Sequence, residues 1–322
     1  MKTYDNLFPD MCSFGNLHSA YLKARKGKRF KEDVLDFSYN LEPNLLQLKR
    51  ELESQEYRHG GYKIFFVEDS KKRTIKAAPF RDRVVHHALC NVIEPIFEKT
   101  FIHDSYACRK GKGTHAGVRR LAKFVRSRRF GYYMKCDIRK YFPSINHKIL
   151  FSVISKRIKD EKVLRVVREI IDSAYDGEDR GIPIGNLTSQ LFANIYLNEF
   201  DCFAKHTLGI RFYARYVDDF IFLEQKSRLL EIKKGVIVFL ETIRLEIHEE
   251  SALPYPVAQG IDFTGYRIFA THIALRKSFI KKVKRKIESA SAPTIQSWNA
   301  HAEHADSYCA RRNLFSSIKG LL

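Results

Sequence analysis

The stretch Arg211-Phe-Tyr-Ala-Arg-Tyr-Val-Asp-Asp-Phe-Ile-Phe-Leu223 decides how the rest of this chain is interpreted. Two runs of aromatic and branched residues flank Tyr216-Val-Asp-Asp219, which predicts a tight β-hairpin with two carboxylates at its tip. An aspartate is costly beside an apolar core unless a cation neutralises it, and a divalent metal ion commonly does so. The stretch therefore predicts a metal-binding hairpin, although paired aspartates at a turn are also common on solvated surfaces.

The composition predicts a globular protein with a polyanionic partner. The chain has 322 residues, 44% of them hydrophobic, which is enough for several subdomains with a sizeable core. Its 57 lysines and arginines exceed its 37 aspartates and glutamates by 20, and this excess favours nucleic acid over membrane as the partner. No apolar run approaches the length of a spanning helix, and the polar start lacks a signal-peptide core. The six cysteines form no Cys-x-x-Cys pair, which favours reduced thiols in a cytoplasmic protein.

A basic hairpin is predicted in the first third of the chain. Tyr62-Lys-Ile-Phe-Phe-Val67 and Arg73-Thr-Ile-Lys-Ala-Ala78 have the composition of two strands around a polar turn. Lys72 and Arg73 follow that turn, and a guanidinium binds phosphate oxygens in bidentate fashion. The hairpin is therefore placed to close over a triphosphate. A helix is predicted directly after it, over residues 80–100.

Three further segments carry predicted elements of a functional site. Gly131-Tyr-Tyr-Met-Lys-Cys-Asp137 predicts a strand that ends in a carboxylate, placed to join Asp218 on one ion. Gly181-Ile-Pro-Ile-Gly-Asn-Leu-Thr-Ser-Gln190 predicts a glycine turn that enters a helix over residues 191–205. Backbone N–H groups of such a turn can approach a base or nucleotide closely. Residues 260–269 predict a second hairpin.

The densest basic patch lies on a predicted helix near the end of the chain. Its basic residues are Lys277, Lys281, Lys282, Lys284, Arg285 and Lys286. A helix with this charge repels itself unless anions are present, so we interpret it as a nucleic-acid contact rather than a solvated face. Further on, His301-Ala-Glu-His304 has the spacing of metal ligands but no evident partner cluster, and we interpret it as a surface helix.

Five of these segments, in this order, resemble the sequential motifs of reverse transcriptases over roughly residues 60–290. They are the basic hairpin, Asp137-Ile-Arg-Lys-Tyr-Phe142, Gly181-x-Pro-x-Gly-x-x-x-Ser-Gln190, Tyr216-Val-Asp-Asp219 and Phe263-Thr-Gly-Tyr-Arg267. The particular form Ile184-Gly-Asn-Leu-Thr-Ser-Gln190 is similar to the enzymes of diversity-generating retroelements, a branch related to group II intron and retron enzymes. The same branch is resembled by residues 84–97, Thr114-His-Ala-Gly117 and Ser297-Trp-Asn-Ala-His301.

The resemblance implies an α+β, right-hand polymerase fold. We expect fingers over residues 1–130 with part of 145–180, a palm of antiparallel sheet and helices over 131–270, and a helical thumb over 271–322. We expect no ribonuclease H, integrase or endonuclease segment in the remaining length. The resemblance also implies the partners: dNTPs, a structured template RNA, the RNA–cDNA hybrid and a small basic accessory protein, with no membrane.

The resemblance further implies a two-metal site. Nucleotidyl transfer requires charge to be neutralised on the attacking 3′-hydroxyl, the scissile phosphorus and the leaving pyrophosphate, and two ions about 3.5–4 Å apart do this. Asp137 and Asp218 would bridge both ions, and Asp219 would bind the primer-side ion, with the Ile138 carbonyl as a further ligand. We expect Mg²⁺, although Mn²⁺ also suits this set of oxygen ligands.

The remaining site residues are implied for nucleotide binding. Phe142 stands five residues after Asp137, where the family carries the aromatic ring that excludes a 2′-hydroxyl. Arg73 is the expected triphosphate ligand. The family's second finger lysine has no clean counterpart here, and Lys63 or Lys72 is expected to replace it.

Ile184, Gly185 and Gln190 are expected to line the nascent base pair. Most reverse transcriptases carry glutamine where this chain has Ile184 and proline where it has Gln190. Isoleucine cannot hydrogen-bond around the base pair and offers only shape, so discrimination between correct and mismatched pairs should weaken. We therefore expect cDNA with errors opposite template adenine, as in the retroelement branch.

Two other functions stay open at this point. The chain can be a defence-associated bacterial reverse transcriptase with the same palm and a different product. It can also be a non-catalytic RNA-binding chaperone of maturase type. The intact Asp137, Asp218 and Asp219 argue against the chaperone, because binding alone does not require them.

Overall fold

The computed structural model describes residues 2–68, 72–127, 131–174 and 177–315, with no description of the Lys72 side chain. The chain forms two compact units, each built from three segments. The first unit comprises Met1–Ile102, Arg139–Cys202 and Phe239–Glu246. The second unit comprises His103–Ile138, Phe203–Val238 and Ile247–Leu322. Each unit is described by itself below.

The elements follow one another in this chain order. Up to residue 137 they are α1 (Phe8–Cys12), α2 (Phe14–Ala24), α3 (Glu32–Tyr39), α4 (Leu41–Glu53), β1 (Lys63–Glu68), β2 (Lys72–Ala77), α5 (Phe80–Glu98), α6 (Thr114–Arg126) and β3 (Tyr132–Asp137). From there to residue 242 they are α7 (Tyr141–Ser144), α8 (His147–Ser155), α9 (Glu161–Asp172), α10 (Leu187–Cys202), β4 (Tyr213–Tyr216), β5 (Asp219–Glu224) and α11 (Lys226–Thr242). The last are β6 (Pro254–Pro256), β7 (Ile261–Phe263), β8 (Tyr266–Ile268), β9 (Ile273–Leu275), α12 (Lys277–Lys286), α13 (Ala292–Ala302) and α14 (Tyr308–Phe315).

The first unit is built around α5, which packs against α2 and α10. The helix predicted over residues 80–100 is confirmed, and its apolar spacing buries Val84, Ala88, Leu89 and Ile93 completely. The predicted basic hairpin is also confirmed. Strands β1 and β2 pair in antiparallel register as a two-stranded sheet, and every residue of β1 is exposed. The hairpin is therefore a solvated projection rather than part of the core.

The second unit contains two antiparallel sheets, one of four strands in the order β4-β5-β3-β6 and one of three in the order β7-β8-β9. The hairpin predicted within residues 211–223 is confirmed as β4–β5, and the hairpin predicted within 260–269 as β7–β8. A core cluster lies between these strands and the helices α6 and α12, and includes Leu121, Phe263 and Val283. These helices and antiparallel strands confirm the α+β class.

One predicted helix boundary is wrong. The helix expected over residues 191–205 begins at Leu187 and ends at Cys202, where a π-helical turn follows. The first helical turn already includes the residues before Leu191. The Asn186 carbonyl accepts the Gln190 N–H at 3.4 Å, the first hydrogen bond of the helix. Gln190 thus lies in the first turn of α10. No helix in the described ranges has the length and apolarity that a membrane crossing requires. The six cysteines are free thiols.

Candidate active site

The four-stranded sheet brings the predicted carboxylates to one end. Asp137 is the last residue of β3 and Asp219 the first of β5, and the antiparallel register pairs them directly. Side chains paired in this way share a face of the sheet, with Cβ atoms about 4.5–5.5 Å apart. Asp218 lies in the turn immediately before Asp219. The backbone therefore places all three carboxylates at the same end of the sheet.

Lys135 provides a positive charge at this pair of acids. Like charges directly opposite each other destabilise a sheet, so two facing carboxylates favour a nearby cation. The Lys135 ammonium lies 3.0 Å from the Asp219 carboxylate, from the same face of β3 that carries Asp137. Both side chains of this ion pair are about one-third exposed. The site is therefore open to water.

The Ile138 carbonyl points to the side of β3 on which β5 pairs. Ile138 is buried and forms an isolated antiparallel bridge with Ile247. The hydrogen bonds of this bridge belong to the flanking residues, since the His248 N–H donates to the Asp137 carbonyl at 3.0 Å. In such a pair the carbonyl of the bridged residue points to the opposite side of its own strand. For Ile138 that is the side on which β5 pairs.

The residues at this end of the sheet offer oxygen ligands that suit a divalent cation, but their side chains are not gathered into a cluster. Within the described ranges, no group of three or more His, Cys, Asp or Glu side chains is arranged to bind a metal ion. Carboxylate and carbonyl oxygens are nevertheless the ligands that Mg²⁺ and Mn²⁺ prefer. Burial raises the pKa of the neighbouring Cys136 thiol to about 12, so this residue offers no thiolate ligand. The donor set at this end of the sheet is therefore one of oxygens.

The turn that carries Asp218 is held by Arg215, which sequence reasoning did not single out. Val217 has a φ of +56°, a left-handed conformation that strains a β-branched residue. The Arg215 side chain is completely buried, and its Nη1 donates to the Val217 carbonyl at 2.9 Å. Its own backbone is bonded on both sides, accepting from the Tyr106 N–H at 3.0 Å and donating to the Asp104 carbonyl at 2.9 Å. A buried guanidinium thus supports a strained turn next to the acids.

Tyr216, at the other side of the turn, is held by α6 and β7. Thr114, the first residue of α6, lies 3.2 Å from the Tyr216 hydroxyl, and the Phe263 ring meets the tyrosine ring edge-on. Gly117 permits this packing, because a Cβ there would lie 3.1 Å from the Phe263 ring and 3.2 Å from Tyr106. The segment Thr114-His-Ala-Gly117 and the second hairpin therefore support the acidic turn from behind.

The basic hairpin separates its three candidate phosphate ligands. Arg73 is exposed and pairs with Val67 near the turn, whereas Lys63 pairs with Ala77 at the base of the hairpin. Lys63 and Arg73 share a face but stand four residue pairs apart, about 13 Å at the usual strand rise. Lys72 neighbours Arg73 on the opposite face, and its side chain lies outside what the structure describes. Arg73 and Lys63 are thus not brought together.

The glycine turn lies against the base of the same hairpin. The Ile184 carbonyl accepts the Lys76 N–H at 3.1 Å. Asn186 is buried and bonds the end of the hairpin twice, donating to the Lys76 carbonyl on β2 at 2.8 Å and accepting from the N–H of Ala78, which follows the strand, at 3.0 Å. Ile184 is half-buried, whereas Gly185 and Gln190 are exposed. The first unit therefore joins the strand of Arg73 to the turn of Ile184.

Phe142 lies in the same unit and is tied to the segment that leads into this turn. It is half-buried in α7, and its ring meets Tyr141 edge-on. Its carbonyl accepts the Ile182 N–H at 3.0 Å, and the Gly181 N–H donates to the Ile145 carbonyl at 2.8 Å. The half-buried ring is compatible with the predicted sugar contact and equally with a packing role.

The basic patch is the outer face of α12. Val283 is fully buried, and Phe279, Ile280 and Ile287 pack partly against the core of the second unit. The predicted contact residues point the other way. Exposed among them are Lys281, Lys284, Arg285 and Lys286, whereas Lys282 is half-buried. The helix therefore presents a dense positive surface to solvent.

Comparison with known proteins identifies the family. The model of the family "Reverse transcriptase (RNA-dependent DNA polymerase)" matches residues 67–268, more than half of the chain. The chain belongs to the reverse transcriptase family. Enzymes of this family generally use divalent metal ions, which agrees with the oxygen ligands at the end of the four-stranded sheet.

Similar proteins include several encoded by introns. The chain is 28% identical to an uncharacterised 91 kDa protein in the cob intron of Schizosaccharomyces pombe, over 64% of this chain and 27% of that protein. It is 29% identical to the group II intron-encoded protein LtrA of Lactococcus lactis, over 42% of this chain and 24% of that protein. The chain thus spans about a quarter of the length of these two relatives.

A solved structure shows the same fold. Apo telomerase from Candida tropicalis, truncated from its C-terminal domain, superposes with a TM-score of 0.52 at 16% identity. The match covers 72% of this chain and 60% of the telomerase chain. It confirms the right-hand polymerase fold predicted from the sequence motifs.

Proposed function

We propose that this chain is an RNA-directed DNA polymerase that extends a primer on a template RNA with dNTPs. The observation that carries the proposal is the register that pairs Asp137 with Asp219 and places Asp218 in the adjoining turn. A protein that only binds RNA needs no facing carboxylates, which are unfavourable in a sheet without a cation. The net charge of +20 and the exposed basic face of α12 suit a nucleic-acid partner.

In this proposal the three carboxylates and the Ile138 carbonyl bind two Mg²⁺ ions, or Mn²⁺. Bound there, the ions would activate the 3′-hydroxyl and neutralise the leaving pyrophosphate. Asp137 and Asp218 would be ligands of both ions, and Asp219 would be a ligand of the primer-side ion. Lys135 neutralises the charge of Asp219, because its ammonium lies beside that carboxylate. Arg73 contacts the triphosphate, with Lys63 or Lys72 as its partner, and Phe142 excludes the 2′-hydroxyl.

We further propose that the enzyme is of the diversity-generating retroelement type. The support is the motif Ile184-Gly-Asn-Leu-Thr-Ser-Gln190, in which an apolar side chain replaces the hydrogen-bonding glutamine of most family members. A small basic accessory protein, a structured template RNA and a cytoplasmic location belong to this proposal. So do fingers at residues 1–130 with part of 145–180, a palm at 131–270 and a thumb at 271–322.

Sequencing of cDNA tests this type directly. Wild-type and Ile184→Gln proteins copy one template that contains all four bases in equal number. We expect Ile184→Gln to lower misincorporation opposite adenine by about tenfold, as ~1.4 kcal/mol of regained discrimination would, and to change errors opposite the other bases less. An equal adenine error rate in the two proteins would remove Ile184 from fidelity and with it the support for this type.

A second candidate is an intron-associated protein of maturase type. It is favoured by the similarity to LtrA and to nuclear intron maturase 2 of Arabidopsis thaliana, which is 27% identical over 42% of this chain and 21% of that protein. A defence-associated enzyme is the third. Genomic neighbourhood separates the retroelement from the maturase: a nearby imperfect repeat pair with differences confined to adenines favours the retroelement, and a flanking group II intron favours the maturase.

A further inference from the structure

We propose that Asn186 is a positioning residue that joins the β1–β2 hairpin to the Ile184 turn, so that the hairpin and the turn move as one body. The inference rests on the proposed function, in which Arg73 contacts the triphosphate and Ile184 the nascent base pair. It adds a specific physical connection between them. Asn186 itself touches neither the nucleotide nor the reacting atoms.

The connection consists of three hydrogen bonds to the end of β2. The Asn186 amide uses both of its ends, Oδ1 accepting from the Ala78 N–H at 3.0 Å and Nδ2 donating to the Lys76 carbonyl at 2.8 Å. The Ile184 carbonyl accepts the Lys76 N–H at 3.1 Å. A carboxamide that bonds a strand in this way replaces a neighbouring strand's peptide group. The turn thus extends the two-stranded sheet at its base.

Close packing reinforces these bonds at Gly185. This residue has a φ of +117°, and a Cβ there would lie 2.7 Å from Cγ2 of Ile75 on β2. Contacts that short do not occur between real carbon atoms, so a side chain would push the turn away from the strand. The absence of a side chain at Gly185 is therefore a condition for the contact that Asn186 makes.

The hairpin has a physical need for such an anchor. A two-stranded sheet alone is marginally stable in water. Here β1 and β2 pair only with each other among the described strands, and all of β1 is exposed. The orientation of the hairpin must then be set at its base. Lys76 and Ala78, which Ile184 and Asn186 bond, lie at that base, whereas Arg73 lies near the turn.

A functional consequence follows from this geometry. If Arg73 moves when it meets the triphosphate, β2 moves with it, and the bonds from Asn186 carry that displacement to Ile184. Triphosphate binding by Arg73 and the contact of Ile184 with the base pair are then coupled. Loss of Asn186 should weaken dNTP binding and change the error spectrum together, although neither contact residue has been altered.

The test compares Asn186→Ala with the matched control Asn16→Ala. Asn16 lies in the same unit and its amide also makes two hydrogen bonds to backbone, but both are donated by Nδ2, to the carbonyls of Met11 on α1 at 2.9 Å and Ala88 on α5 at 3.1 Å. We expect Asn186→Ala to raise the KM for dNTPs about tenfold, as loss of buried hydrogen bonds would, with a smaller change in kcat. We expect Asn16→Ala to lower the melting temperature without changing KM.

Hydrogen exchange gives a readout that needs no nucleotide. In Asn186→Ala the amides of β1 and β2 should exchange about tenfold faster, whereas in Asn16→Ala they should not. Asn186→Asp is a second variant of the same shape that keeps the acceptor for Ala78 and loses the donor to Lys76. Because the Ala78 N–H keeps its acceptor, its exchange should rise less in Asn186→Asp than in Asn186→Ala. Unchanged exchange of the hairpin in both variants would overturn the proposal.

An Arg73→Ala arm separates this inference from the function it rests on. If Arg73→Ala leaves the KM for dNTPs unchanged, the triphosphate role of Arg73 fails, whereas the exchange experiment still decides whether Asn186 anchors the hairpin. If Arg73→Ala raises KM and Asn186→Ala does not, the coupling is wrong even though the nucleotide site is right. Equal KM changes in Asn186→Ala and Asn16→Ala would reduce Asn186 to a general stabiliser.

Discussion

At the scale of single residues, the acidic turn balances strain against a buried hydrogen bond. A residue held in a sparsely populated backbone region costs roughly 1–3 kcal/mol, and Val217 at a φ of +56° is such a residue. A hydrogen bond from a charged donor contributes roughly 1.5–3 kcal/mol, and Arg215 makes one to the Val217 carbonyl. The two magnitudes are similar, so Arg215 offsets the strain next to Asp218.

Removal of Arg215 should therefore disturb catalysis through the turn. We expect Arg215→Met to lower kcat for primer extension about ten- to hundredfold, with a smaller effect on the KM for dNTPs. Adding Val217→Gly should restore part of kcat, because glycine adopts a positive φ without strain. Arg211→Met, at an exposed arginine just before β4, is the control and should leave kcat unchanged. If kcat of Arg215→Met is near that of wild type, the turn keeps its shape without Arg215.

The sequence predicted residues that belong to short motifs. It missed residues whose contacts lie far away along the chain. Asp137, Asp218 and Asp219 stand in short motifs. Arg215 lies inside the quoted stretch, but its burial was unexpected because arginine is seldom fully buried. His301 belongs to the stretch interpreted as a surface helix, but it is half-buried: its ring stacks on Tyr266 with Nδ1 3.0 Å from the tyrosine hydroxyl. That partner is 35 residues away, and local spacing carries no sign of it.

At the scale of elements, α12 combines an apolar inner side with a basic outer side. RNA affinity should fall steeply with salt, because each phosphate contact releases counterions. Reversing Lys281, Lys284 and Arg285 to glutamate should make the slope of log affinity against log salt shallower by about 2, at roughly 0.7 per contact. Filter binding of template RNA across a salt series measures this slope.

A matched triple variant controls for net charge. Lys162, Lys226 and Lys234 are exposed lysines on α9 and α11, and their reversal changes the net charge by the same amount. We expect that variant to keep most of the wild-type slope. If the two triple variants give the same slope, the effect belongs to the net charge of the protein and α12 has no special contact.

Helix α5 carries two adjacent histidines that make stability depend on pH. Burial lowers the pKa of His86 well below its usual value, and burial with nearby Lys23 and Lys28 lowers that of His87 to about 4. The unfolded chain therefore takes up these protons near pH 6.5, before the folded chain does. Stability should be complete above pH 6.5 and fall as the pH decreases toward 4.

Urea denaturation at several pH values tests this dependence. We expect His87→Gln to flatten the loss of unfolding free energy between pH 6.5 and 4, because one of the two linked protons is removed. His206→Gln, at an exposed histidine, should leave the curve unchanged. The same pH dependence in wild type and His87→Gln would assign the acid sensitivity to other groups.

Elements were predicted better than their contacts. The hydrophobic periodicity of α5 and the turn residues between β4 and β5 are local signals, and both elements were confirmed. The bonds between Asn186 and β2 join residues 108 and 110 positions apart, so neither periodicity nor turn composition indicates them. These bonds also hold Asn186 at the position directly before α10, where the helix begins earlier than predicted.

At the scale of the whole molecule, the residues of the proposed reaction are divided between the two units. The second unit carries the carboxylates and the basic face of α12, and the first unit carries Arg73, Phe142 and the Ile184 turn. The order of motifs was sufficient to predict the fold and the family. The contacts that hold the acidic turn were not predictable in the same way, because Arg215 bonds Tyr106 and Asp104, which lie far from it along the chain.

Primer extension with Asp218→Asn tests the central claim most directly. The substitution keeps the shape of the side chain and removes one negative charge from the proposed metal ligands. With template RNA, an annealed primer, dNTPs and Mg²⁺, we predict that extension falls by at least a hundredfold, in line with loss of a group that acts on the transition state, while RNA affinity persists. Asp172→Asn, at an exposed carboxylate on α9, should extend like wild type. Extension by Asp218→Asn at a near wild-type rate would contradict the account.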